Sequence, residues 1–404
     1  MKNENAFLPY ARQLIEEDDI AAVGDVLRSD WLTTGPIVDA FELALAEVVG
    51  SRGAAACSSG TAALHLAGAA VGLGPGHSAV VPSLTFVATA NAVRLLGAEV
   101  VFADVDPESG LMEAEHLAKA LATAEGTSVF AAYPVHLNGQ CSDMAAIADV
   151  ATSADIKIVE DASHALGTCY GADDPGTARV GECRHSDLAA FSFHPVKAIA
   201  MGEGGALTAA DPDLLARSRR LRSHGLLREA SSFERRDLAF DPGGAVNPWY
   251  YEMPEVGYNY RASDIHCALG LSQLSKLGRF VRERAALVAR YDALLPELAP
   301  LVRPVARSRH CQPAWHLYVA LIDFATADVG RGELMTRLGE RGIGSQVHYL
   351  PVHLQPYYQN RYGKQRLPGA ERYYAKALSL PLHVGMALGD VDRVVDALSD
   401  SLAS

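Results

Sequence analysis

The feature that most constrains this chain is an alternation between about residues 50 and 210. Short β-rich runs (HSAVVPS, AEVVFADVD, SVFAAYPVH, IKIVEDAS and DLAAFSF) are separated by Ala/Leu-rich helical stretches. Such alternation marks βαβ units around a mostly parallel sheet, an α/β fold. In sheets of that kind ligands collect outside the carboxyl ends of the strands. The polar residues that follow the runs, among them Asp161, Ser192 and Lys197, are therefore expected on one rim.

Beyond the alternation, residues 228 to 252 mix charges, Gly and Pro without sustained periodicity and read as a long surface excursion, a kind of loop that often serves function. One long helix is expected over RASDIHCALGLSQLSKLGRFVRERAALVARYDALL, with the domain boundary near its start. AWHLYVALID and GIGSQVHYLPV read as strands of a smaller α+β domain. A length of 404 residues also favours two domains over one core. The net charge of −13 argues against nucleic-acid or anionic-membrane partners, which need a basic face. The six cysteines are widely spaced, with no Cys-x-x-Cys pair or zinc-like Cys/His cluster, so free thiols, no metal and a reducing compartment are expected. Without a signal-like N-terminus or an apolar run near the roughly 20 residues of a membrane span, the cytoplasm is the expected location.

Three segments stand out chemically. AAFSFHPVKAIAMGEGGAL sets Lys197 between an aromatic-serine-aromatic run and a Gly-Glu-Gly-Gly turn; on residue type it is either a surface lysine or a placed cation. CSSGTAALHLAGAAVG puts Gly60 and Thr61 at a helix N-terminus, which is either an anion site or an ordinary N-cap with Thr61 as the capping side chain. In VEDASHALG, Glu160 and Asp161 end an apolar strand, where a carboxylate is costly to bury without a partner, although a plain strand-ending Asp fits too. As a set they match what pyridoxal phosphate (PLP) requires. Its phosphate needs donors, its pyridine nitrogen a carboxylate, and its aldehyde a lysine.

SSGTAALHLA, VPSLTFVATANAV, VFADVDPESG, EDASHALG, FSFHPVKAIAMGEGGAL and GYNYRASDIHCALGLSQL occur in an order and spacing by which the chain resembles the DegT/DnrJ/EryC1/StrS family of sugar aminotransferases over nearly its whole length. The resemblance implies the type I fold of PLP-dependent aminotransferases. Residues 1–35 would be an N-terminal segment near the substrate site, 36–260 the large PLP-binding domain and 261–404 the small C-terminal domain. Lys197 would hold PLP covalently, Asp161 would partner the pyridine nitrogen, and His164 would lie against the ring or its hydroxyl. Phe86 would stack on the ring, and Gly60, Thr61 and Ser192 would hold the phosphate. Asn259 of GYNYR would reach the cofactor phosphate of the neighbouring subunit, which implies a homodimer with shared active sites.

For a nucleotide-linked sugar the family pattern points to Tyr10, to Asp30, Trp31, Leu32 and Thr33, to His316, Leu317, Tyr318 and Val319, and to His348 and Tyr349. Ordinary packing is the competing reading for Tyr10 and His316. LPYARQLIEEDDIAAVGDVLRSDWLTTGP, RSHGLL, HLYVALID, QVHYLPVHLQPYY and YYAKALSLPLH look most like the branch of pseudaminic acid biosynthesis that aminates UDP-2-acetamido-2,6-dideoxy-β-L-arabino-hex-4-ulose, with L-glutamate as donor. Another keto sugar or a cyclitol would keep every cofactor residue, and a regulatory protein on the same scaffold is the alternative of a different class. Related dehydratases replace the lysine with histidine, whereas Lys197 is present. Many relatives have a Thr-Thr pair where this chain has Ala200 and Met201, an exchange expected to remove hydroxyls near the cofactor lysine and add apolar volume.

Overall fold

The computed structural model describes residues 6–124, 128–171 and 178–403. Each expected β-rich run contains a strand. These five are β2 (His77–Pro82), β3 (Glu99–Ala103), β4 (Ser128–Ala132), β5 (Lys157–Asp161) and β7 (Leu188–Ser192), and the region also holds β1 (Ala54–Cys57), a short β6 (Cys169–Tyr170) and β8 (Gly205–Ala209), which no expected run contained. Seven of these form one sheet in the order β1-β8-β7-β5-β4-β2-β3. Neighbours from β7 through β5, β4 and β2 to β3 are parallel, while β8 runs antiparallel between β1 and β7. Six strands therefore point the same way, and their carboxyl ends share a rim.

Because successive strand residues face opposite sides, Ala54 and Ala56 of β1 belong to one core and Ala55 and Cys57 to the other. Helices Pro36–Val49, Ala114–Thr123 and Met144–Ser153 cover the first face; Gly60–Val71, Val87–Leu95 and Pro212–Arg222 cover the second. Helix Gly60–Val71 is enclosed on nearly all sides, which its Ala- and Gly-rich sequence permits. At Gly68 a Cβ would lie 2.3 Å from the Tyr133 hydroxyl. This close seating over the sheet brings the helix N-terminus to the ends of β5 and β7.

The second, α+β region has an antiparallel sheet of β9 (Val302–Pro304), β11 (Tyr318–Ile322) and β12 (Ala377–Leu380), while β10 (Cys311–Gln312) pairs with β6. Its separate core includes Leu287, Tyr291, Tyr318, Leu334 and Val394. Two sequence expectations fail here. The single long helix is two, Asp264–Ser275 and Leu277–Leu294. At the break, the Lys276 N–H turns back to the Gln273 carbonyl, and its Nζ sits 2.6 Å from Asp18 and 2.9 Å from Asp19. GIGSQVHYLPV forms no strand; it makes isolated bridges only, Ile343 to Leu8 and Gln346 to Ser379, after which the backbone turns to present His348 and Tyr349.

The Lys276 ion pairs tie the N-terminal helix Glu17–Arg28 to helix Asp264–Ser275. Upstream, the Leu8 N–H donates to the Gly342 carbonyl, and the Tyr10 carbonyl accepts from the Leu382 N–H at 3.0 Å, which ties this segment to the α+β region. The 228–252 excursion contains only short helical turns and leaves Trp249 and Tyr251 exposed. No described helix is long and apolar enough to cross a membrane.

Candidate active site

The carboxyl ends of β1, β2, β4, β5 and β7 border a cavity of about 500 Å³. Lys197 is its only lysine or arginine among the described residues, and Asp161 and Glu203 its only acids. Asp161 ends β5 and is 5 % exposed. Its Oδ2 accepts from the Thr89 hydroxyl at 2.7 Å and its Oδ1 from the Ser163 N–H at 3.1 Å, so the carboxylate is held in one orientation. Thr89 also pairs with Thr85 at 2.8 Å. Glu160 points the other way, as strand alternation requires. There it meets His136 Nε2 at 2.6 Å and the Tyr170 and Ser186 hydroxyls. Burial pushes its pKa up, but these hydrogen bonds and His136 outweigh it and hold the carboxyl below its usual range.

Lys197 follows β7 in a turn whose N–H donates to the His194 carbonyl. Burial lowers the pKa of its ammonium to about 8, against a partial opposing pull from Asp161. His164, His316 and His348 line the cavity with it. Burial, reinforced by the Lys197 charge, holds all three well below the ordinary histidine value, His348 to about 3, so they are neutral at neutral pH. The His164 and His316 rings lie 4.3 Å apart. His164 Nε2 pairs with the Tyr349 hydroxyl at 3.1 Å, while its buried Nδ1 and that of His316 have no partner. Burial, and then the charge of Asp161, raise the Tyr349 pKa, so Tyr349 stays a donor.

The cap of helix Gly60–Val71 is Ser59, whose side chain accepts from the Ala62 N–H, not Thr61. Thr61 is exposed to the cavity, and the N–H groups of Gly60 and Thr61 have no intrahelical partner. At Gly60 a Cβ would meet the Ser192 Cβ at 2.6 Å, so only glycine lets the helix end approach Ser192 this closely. The cavity wall thus brings together Tyr10, Gly60, Thr61, Phe86, Asp161, His164, Ser192, Lys197, His316, His348 and Tyr349.

Other candidates lie elsewhere. Leu317 and Val319 fill the main core and Tyr318 the smaller one, where its hydroxyl meets Asp292 at 2.7 Å. The side chains of all three are thus buried in packing and do not line this cavity. Asp30, Trp31, Leu32 and Thr33 are exposed and outside this chain's cavity; the Leu32 carbonyl accepts from the Asp264 N–H. Asn259 is likewise exposed and outside it.

The Ala200-Met201 exchange does not reach the cavity. Met201 is buried against Gly270, where a Cβ would lie 2.7 Å from its Cγ, and Ala200 turns toward Gln273. The glycine turn serves the chain's own backbone: a Cβ at Gly205 would meet the Ser59 carbonyl oxygen at 2.2 Å.

Thr85, Thr89, Ser163 and Gln346 were not singled out from sequence. Thr89 sits one helical turn beyond Phe86 in the same run, so its spacing offered a signal; Gln346 offered none.

A lysine and a fixed carboxylate facing one cavity, beside a helix N-terminus and neutral imidazoles, can hold an aldehyde-bearing aromatic phosphate and move protons beside it. The buried, unpartnered His164 Nδ1 is a ring-level polar atom that such a group would satisfy. The model of the DegT/DnrJ/EryC1/StrS aminotransferase family matches residues 13–399. SpsC, a spore coat polysaccharide biosynthesis protein of Bacillus subtilis, is 38 % identical over 405 residues, covering 99 % of this chain and 98 % of SpsC. PseC of Helicobacter pylori, an aminotransferase involved in the biosynthesis of pseudoaminic acid, superposes with a TM-score of 0.85 at 26 % identity, over 98 % of this chain and 99 % of PseC. The PLP-form of Spr1654 from Streptococcus pneumoniae has the same TM-score and identity, over 98 % of this chain and 99 % of that one. With the family model matched across almost the whole sequence and the lysine and aspartate brought to one cavity, the chain belongs to the DegT/DnrJ/EryC1/StrS aminotransferase family and is an aminotransferase.

Proposed function

We propose that this aminotransferase uses PLP held by Lys197 to move an amino group from L-glutamate to the C4 keto group of a nucleotide-linked 4-keto-6-deoxy sugar, with UDP-2-acetamido-2,6-dideoxy-β-L-arabino-hex-4-ulose the leading candidate. The observation that carries this reading is Lys197, the single lysine or arginine among the described residues of a cavity of about 500 Å³, sharing it with a carboxylate fixed by Thr89 and Ser163. Bound PLP supplies an aldehyde for the lysine and a ring that takes up electrons when its nitrogen is protonated. Asp161 is the group to hold that proton in place. Gly60, Thr61 and Ser192 are the donors for a phosphate, and Phe86, 55 % exposed, offers a ring face. With its pKa lowered to about 8, Lys197 can take and return a proton near neutral pH. Tyr10, His316 and His348 fit on the sugar side as neutral hydrogen-bonding groups.

Asn259 and the 30–33 run are exposed outside this chain's own cavity, which fits a homodimer in which they serve the neighbouring site. Residues 1–35, 36–260 and 261–404 are the proposed segments, with the sugar at their junction.

A second reading, a different keto sugar destined for a surface polysaccharide, is favoured by the higher identity to SpsC. The test offers UDP-, dTDP- and GDP-linked 4-keto-6-deoxy sugars with glutamate and identifies the products by mass and NMR. A C4-aminated UDP-N-acetyl sugar supports the first reading. Turnover confined to another sugar supports the second, and no aminated product from any of them sinks both.

A further inference from the structure

Arg284 is the only arginine under a tenth exposed among the described residues, and no described carboxylate pairs with it. An unpaired buried cation is costly, so its surroundings require a reason. It projects from helix Leu277–Leu294 toward the back of the Lys197 turn, where its Nη2 donates to the Lys197 carbonyl at 3.2 Å and its Nη1 to the Ala198 carbonyl at 3.3 Å. Nε has no partner. Burial lowers the pKa to about 10, which leaves the guanidinium charged at neutral pH. The void beside it, about 10 Å³, has room for about one water and none for an anion with partners of its own.

The rest of the turn is held by its N–H groups: Lys197 to the His194 carbonyl, Met201 to the Phe193 carbonyl, and Ala200 to the Gln273 side chain at 3.4 Å. The carbonyls of Lys197 and Ala198 are held by Arg284.

We propose that Arg284 is a positioning residue: by clamping the two carbonyls behind Lys197 it sets where that side chain enters the cavity, without touching substrate itself. The proposal rests on reading Lys197 as the amine that holds the cofactor. A 1 Å misplacement at a reacting centre is worth up to ~10²-fold in rate, so a loose anchor has a measurable cost.

The test uses the full chain. Arg284→Met keeps reach and removes the donors; Arg284→Lys restores the charge and a single donor group. In protein freed of cofactor, the pH profile of Lys197 acylation is followed by peptide mass spectrometry. With cofactor restored, kcat and KM are measured separately. The expected result for Arg284→Met is a Lys197 midpoint raised by about one pH unit or more as the amine reaches water, and kcat down about tenfold or more with sugar KM near unchanged. Arg284→Lys should recover part of both. A lower unfolding temperature with unchanged midpoint and kcat overturns the proposal, since that is what packing alone predicts. Should Arg284→Met fail to fold, Arg284→Gln, which keeps one donor group, is read by the same criteria. A Lys197→Ala control that retains turnover refutes the lysine's role, which is distinguishable because the acylation profile reports geometry irrespective of catalysis.

Discussion

In protein freed of cofactor, Lys197 should titrate near pH 8 instead of near 10.5, because burial disfavours its charged form more than Asp161 favours it. The consequence is large at working pH. With a midpoint of about 8, roughly a quarter of the Lys197 amines are free at about pH 7.5, against roughly one in a thousand for an ordinary lysine, a difference of about two hundredfold. The perturbation that isolates the cause is Asp161→Asn, which keeps the shape of the side chain and removes the one charge that supports the ammonium. The sign follows directly: the midpoint should fall further below 8, even as catalysis is lost. The assay is competitive acylation across pH 6 to 11 with a trace of labelled anhydride, reading the Lys197 peptide against other lysines. A wild-type midpoint at or above about 10, or an upward move in Asp161→Asn, would refute the reasoning.

Other consequences are equally direct. Gly270→Ala should destabilise the fold by about 1–3 kcal/mol through overpacking against Met201, and Met201→Ala in the same chain should cancel part of that loss in a double-mutant cycle of thermal unfolding. Glu160→Gln should cost on the order of 1–3 kcal/mol at neutral pH by breaking its bonds with His136, Tyr170 and Ser186. Since the folded pKa of Glu160 is depressed, its contribution is fully present above the ordinary carboxyl value and is lost as pH falls through the lower folded one, so the difference from wild type should shrink in acid. If Asn259 serves the neighbouring cofactor phosphate, mixed dimers of Lys197→Ala and Asn259→Ala chains should regain about half the wild-type activity, and activity no higher than the sum of the two parents removes the shared site. Borohydride reduction of the yellow holoprotein should fix the cofactor to the Lys197 peptide; an adduct on another lysine ends that assignment.

Strand positions and the rim of polar residues were legible in the sequence because period-two burial and the residues that end apolar runs are local properties. Lys197, Asp161 and the Gly60 helix end follow strands directly, so topology alone carries them to one cavity. Side-chain direction beyond a strand end was not legible. Tyr318 looks as suitable for a sugar as His316 two residues earlier, yet strand pairing with β9 and β12 sends it into the smaller core. Met201 stands four residues from Lys197, but the turn between them reverses direction, and the space left by Gly270 takes its side chain away from the cavity. Contacts across long sequence separations, Arg284 behind the Lys197 turn and Tyr349 on His164, exist only once two regions pack together. Local sequence thus determined the sheet, its rim and the chemical kind of the site. Tertiary packing decided which side chains face the cavity and how strongly burial shifts their proton affinity, because both depend on groups distant along the chain.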